Sequence, residues 1–200
     1  MGIIEDKKKL KLDALLDSAF SLFITKGIEK TSVSDITKKA KVAKGTFYLY
    51  FKNKYDINDT LIFNKSTEIF NAAKSALEKE NISEFHDKII FIVDYIIDLL
   101  DKSPIMLSFI AKNLSWAVFK KVIIEDNEED NKFKKYFYDL IDTSGYKFDN
   151  QELMLYTILE FVNSTCYNVI LYNEPVKLEV LKKFLYKDIN AIIDNHIIEE

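Results

Sequence analysis

The chain has 200 residues, nearly half of them apolar, but only four glycines and two prolines, which favours packed helices over the many tight turns of a β-sandwich or barrel. A single cysteine, Cys166, excludes an internal disulfide and fits a reducing compartment, and no stretch approaches the roughly 18 uninterrupted apolar residues of a membrane span. The formal charge is −4, every basic residue other than the two histidines is lysine, and a cytoplasmic, non-membrane protein is the expectation.

In chain order, Leu10, Ala14, Leu15, Ala19, Phe20, Leu22 and Phe23 recur at helical spacing and Gly27 ends the run. Ser32 followed three residues later by Asp35 reads as a capping box that opens a short helix through Lys39. Residues 40–43 read as a turn, and a second short helix follows to about Tyr50. Asn53 with Asp56 signals the start of a long helix to about Lys79. Asn81-Ile82-Ser83 breaks the chain, with Ser83 as the expected cap of SEFHDKIIFIVDYIIDLLDKS. Pro104 opens the apolar run PIMLSFIAKNLSWAVFKKVII, with a bend expected near Asn113, and the acidic run EDNEED at 125–130 ends it. KFKKYFYDLIDTSGY reads as a further helix stopped near Gly145. Asp149 with Glu152 is the expected cap of the next helix, Pro175 marks a junction, and KLEVLKKFLYKDINAIIDNHII is the last helix. The expected class is all-α: a head over 1–52 and a body over 53–200, joined by the long helix.

Charge divides along the same line. Residues 1–60 hold twelve lysines against eight acidic residues, whereas the remainder holds sixteen against twenty-four. A basic head on an acidic body points to an anionic partner for the head alone, although clustered solvated charge would look the same.

Two short helices joined by a tight turn, after a longer helix, form a helix-turn-helix unit. Phe47 and Phe51 lie four apart and should pack inward on Ile36 and Ala40. Lys44, Thr46, Tyr48, Leu49 and Tyr50 are then open to a partner. A helix of this kind fits the DNA major groove, and its first turn presents free N–H groups to phosphates. Gly45 inside a helix costs about 1 kcal/mol relative to Ala, and close approach of DNA would explain it.

The run T-S-V-S-D-I at 31–36, then V-A-K-G-T-F-Y-L-Y-F at 42–51 and K-N-K at 52–54, with Gly27 before them, resembles the DNA-binding head of the TetR family of bacterial transcriptional regulators. The resemblance covers about residues 8–70. It implies that Lys44, Gly45, Thr46 and Tyr48 approach bases or flanking phosphates, and that Thr31, Ser32, Tyr50 and Lys54 hold the DNA backbone. Two positions depart from the pattern: Lys41 stands where the family places Gly, and Ala43 where it places Ser or Thr. Each departure costs roughly 1 kcal/mol if the turn keeps its usual geometry.

In the body, Leu153, Leu155, Tyr156, Ile158, Leu159, Phe161, Val162 and Tyr167 leave no polar side to the helix at 150–172, which is therefore expected to be buried all round. Leu178, Leu181, Leu185, Ile189 and Ile192 form a seam on the last helix. The pair suits a four-helix interface between two copies, or an ordinary monomer core; the resemblance implies the homodimer, and a dimer matches a palindromic operator. It also implies a small-molecule effector in the body, for which Phe91, Tyr95, Phe109, Trp116, Phe119, Tyr156 and Phe161 are candidates, each equally readable as core. No charged cluster selects a ligand class, so a mostly apolar effector is the default.

Enzymatic readings have little support. His86 and His196 lie far apart and read as surface residues, neither forms a metal-spaced pair, and EDNEED lacks the spaced ligands and glycine of a calcium loop. No metal and no cofactor are expected. The function expected is a ligand-responsive repressor; an activator or ligand-independent regulator with the same head, or a helical scaffold that no longer binds DNA, are the alternatives.

Overall fold

The computed structural model describes residues 3–110 and 131–198. The chain separates into two compact units, residues 1–64 and 65–200. Among the described residues the elements are nine helices and one isolated bridge, Phe148 with Ile197.

The first unit holds α1 (Ile3–Lys26), α2 (Val33–Lys39), α3 (Lys44–Tyr48) and the start of α4 (Lys54–Leu77). Helix α1 begins at Ile3, several residues before the apolar periodicity that opens at Leu10. Gly27, at φ +78°, ends it by turning left-handed while its N–H donates to the Phe23 carbonyl at 3.0 Å. Helix α1 packs on α2, and α2 on α3. Leu15, Ala19, Ile36, Phe47, Phe51 and Ile57 are buried, which places the apolar series of α1 from Leu15 on and both phenylalanines of the α3 region in the interior, whereas Leu10 is exposed.

The second unit holds the rest of α4 with α5 (Phe85–Asp101), α6 (Pro104–Ile110), α7 (Asn131–Asp142), α8 (Gln151–Tyr172) and α9 (Leu178–His196). Helix α8 packs on α9, α5 and α6, and α9 also packs on α5. Phe85, Ile97, Leu107, Phe137, Ile158 and Leu185 belong to one continuous core.

Two capping expectations are corrected. The N-cap of α5 is Glu84, not Ser83, and its side chain makes no capping bond. The N-cap of α8 is Asn150, not Asp149: its Oδ1 accepts from the Leu153 N–H at 2.9 Å. Asp149 is instead taken up by His196, whose Nδ1 lies 2.6 Å from its carboxylate. That contact holds the Asp149 carboxyl below its ordinary value of 3.8. The other histidine, His86, meets Asp194 at 2.9 Å. Both rings are mostly covered, so neither is the open surface residue expected: they fasten the end of α9 to α5 and to the segment before α8.

Helix α8 is not buried on every side of the single chain. Leu153 and Tyr172 are exposed, as are Val180 and Phe184 on α9. Between α9 and α5, Lys182 pairs with both Asp94 and Asp98, and the Tyr186 hydroxyl donates to Asp94. The expected bend near Asn113 and the EDNEED run at 125–130 lie outside the described residues.

Candidate nucleic-acid interface and internal cavity

The turn between α2 and α3 explains both departures from the family pattern. Lys41 is left-handed, at φ 56°. Its N–H donates to the Lys38 carbonyl at 3.3 Å, and the Val42 N–H donates to the Thr37 carbonyl at 3.0 Å. These two bonds make a Schellman motif with lysine at the position glycine usually takes. Ala43 is the N-cap of α3, extended at φ −70° and ψ 150°, and it supplies no side-chain bond. Helix α3 is therefore held by the burial of Phe47 and Phe51, whose rings lie 5.6 Å apart, and not by its cap.

Opposite those rings, α3 is bare. Tyr48 is 57% and Leu49 81% exposed. Lys44 and Gly45 are exposed too, and Thr46 is half-buried. A Cβ added at Gly45 would meet nothing within 4 Å, so no neighbour in this chain requires the glycine. Lys38, Lys41 and Lys52 are exposed nearby in sequence, and sequence reasoning did not select them as contacts. Their spacing around α3 was the available signal.

The other expected contacts are committed within the head. Thr31 is buried, and its hydroxyl donates to the Gly27 carbonyl at 2.9 Å. Lys54 donates from Nζ to the Ile28 carbonyl at 2.9 Å and the Glu29 carbonyl at 3.1 Å. Together they fasten the connection between α1 and α2. Ser32 caps α2: its Oγ accepts from the Asp35 N–H at 3.1 Å, and the Ser32 N–H donates to Asp35 Oδ2 at 3.0 Å. That backbone bond, with the hydroxyl bond beside it, holds the Asp35 carboxyl below 3.8. The Tyr50 hydroxyl donates to the Lys8 carbonyl at 3.1 Å.

In the body, α4 to α8 enclose a cavity of about 140 Å³. None of the described effector candidates lines it. Phe91 and Tyr95 stack at 6.4 Å beside a separate cluster around Ala73, Leu77 and Ile92. Phe109 and Phe161 pack partly buried against the main core, and Tyr156 is half-buried. Trp116 and Phe119 lie outside the described residues. The wall comes mostly from aliphatic residues such as Ile69, Val93, Ile96 and Val162, with the aromatic Phe70, Phe85, Tyr136 and Phe137, and it includes Cys166, whose thiol burial pushes up to about 12.

Residues 15–59 match the family model for bacterial regulatory proteins of the tetR family. The chain is 39% identical over 67 residues to YvdT of Bacillus subtilis, an uncharacterised HTH-type transcriptional regulator, a match that spans 34% of each chain. The chain therefore aligns with about a third of that relative's length. A tetR-family transcription regulator from Shewanella sp. PV-4 shares the fold at TM-score 0.65 and 17% identity, over 94% of this chain and 99% of that one. FadR of Bacillus subtilis, solved in complex with stearoyl-CoA, matches at TM-score 0.55 and 19% identity over 88% and 96%. Residues 15–59 thus carry a head of the tetR-family type, followed by a helical body that shares the fold of solved structures so described.

Proposed function

We propose that the protein is a cytoplasmic transcriptional repressor that binds a palindromic operator as a homodimer and releases it when a small apolar molecule occupies the body. The carrying observation is the open face of α3, where Lys44, Gly45, Tyr48 and Leu49 are exposed and Thr46 is half-buried. Lys44 and the flanking Lys38, Lys41 and Lys52 meet phosphates, and Thr46 and Tyr48 meet bases. Thr31, Ser32, Tyr50 and Lys54 act one step back, by fixing the frame that presents α3. The exposed Val180 and Phe184 of α9, with Tyr172 of α8, are the face offered to the second copy.

Selection from random DNA, followed by anisotropy titration across salt, tests this reading. A two-fold-symmetric site whose affinity falls steeply with salt is expected. Thr46→Ala should relax preference at particular base pairs, while Lys44→Ala weakens all sequences alike. Absence of sequence-preferring binding at any salt refutes the reading. Transcription from the bound promoter, with and without the protein, separates repression from activation.

A further inference from the structure

The cavity's wall has a chemistry of its own. Among the described residues lining it, only Ser66, Tyr136 and Asn163 carry a side-chain oxygen or nitrogen, and none is Lys, Asp, Glu or His. Sulfur enters through Met154 and Cys166. Among these described residues a carboxylate would meet no cation, and an ammonium no anion; an unpaired buried charge is strongly disfavoured. The nearby charged cluster of Lys182 with Asp94 and Asp98 is already mutually paired and contributes nothing to the wall. The behaviour of Cys166 agrees, since burial disfavours its thiolate.

Size narrows the class further. Protein interiors leave few voids larger than a water molecule, so a space of about 140 Å³ departs from ordinary core packing. An apolar cavity of about 150 Å³ stays dry and takes up benzene. We propose that this cavity binds one small, uncharged, apolar molecule, a single ring or a chain of about six carbons, and rejects carboxylates and acyl thioesters. The proposal rests on the body being the effector site, and it sets this chain apart from the neighbour that holds stearoyl-CoA.

Thermal unfolding of the full chain tests it, with toluene and 1-hexanol set against benzoate, hexanoate and stearoyl-CoA at neutral pH. At about ten times the dissociation constant, each neutral ligand should raise the midpoint by about 3–5 °C. The anions should bind at least about tenfold more weakly. Val162→Phe or, where that variant does not fold, Leu159→Phe should abolish the shift by filling the space. Equal shifts from hexanol and hexanoate, a shift from stearoyl-CoA alone, or no shift from either neutral ligand overturns the proposal. Operator binding measured with the same ligands keeps the two readings apart: stabilisation without loss of operator affinity upholds the ligand class and refutes the effector role.

Discussion

Lys54 and Lys44 should fail in different ways when truncated. Lys54 is one-fifth exposed along its side chain and donates two charge-assisted bonds to backbone carbonyls, at 2.9 and 3.1 Å. Its ion pair with Glu29, at 3.6 Å, adds little because Glu29 is largely in water. Hydrogen bonds to charged groups contribute about 1.5–3 kcal/mol when buried, and partial exposure reduces this to about 1–2 kcal/mol for Lys54→Ala. Lys44 is exposed at the start of α3, so Lys44→Ala should change stability by no more than about 0.5 kcal/mol.

Urea unfolding, read as a shift in midpoint at constant slope, measures the first effect. Anisotropy on operator DNA across a salt series measures the second. Losing one phosphate contact lowers the slope of log affinity against log salt by about 0.9. The expected result is a lowered urea midpoint with an unchanged salt slope for Lys54→Ala, and the reverse for Lys44→Ala. If Lys54→Ala keeps full stability and lowers the salt slope, Lys54 grips phosphate as the family resemblance implies, and its assignment to the α1–α2 connection is refuted.

Ala43→Ser should stabilise the head by about 1 kcal/mol, because the cap residue is already extended and only lacks an acceptor; an unchanged urea midpoint would count against this. Phe184→Lys should shift the proposed dimer to monomer in sedimentation without unfolding it, since the ring is 61% exposed in the single chain; a dimer of unchanged affinity would place the interface elsewhere. Asp149 has a folded pKa below 3.8, so its pairing with His196 stabilises above that value and is lost as pH falls through the folded value. The stability difference between the wild-type chain and His196→Ala should therefore close in acid, and a difference that persists below both values would refute the pairing.

The order of the helices was legible because apolar spacing, Gly27, Pro104 and the Ser32–Asp35 box act within a few residues of themselves. What was not legible depends on distant partners. Lys54 meets carbonyls 25 and 26 residues earlier, and His196 meets a carboxylate 47 residues earlier. No local pattern announces either contact. The described effector candidates do not converge on the cavity for a related reason. Aromatic residues were selected for size, whereas the space is lined mostly by aliphatic side chains, with Phe70, Phe85, Tyr136 and Phe137 the aromatic residues that reach it.

A recurring motif records that a residue is needed, not what needs it. Thr31 and Lys54 belong to a pattern shared with DNA-binding heads, and a phosphate contact is one way to explain them. The geometry supplies another. The segment from Gly27 to Thr31 carries backbone carbonyls that no helix satisfies, and Thr31 and Lys54 bond three of them. That segment sets where α2 begins, and α2 carries the turn that presents α3. Removing either side chain would then weaken DNA binding at every sequence alike, which is also the signature of a lost phosphate contact. Affinity alone cannot separate the two causes, whereas stability and salt slope measured together can.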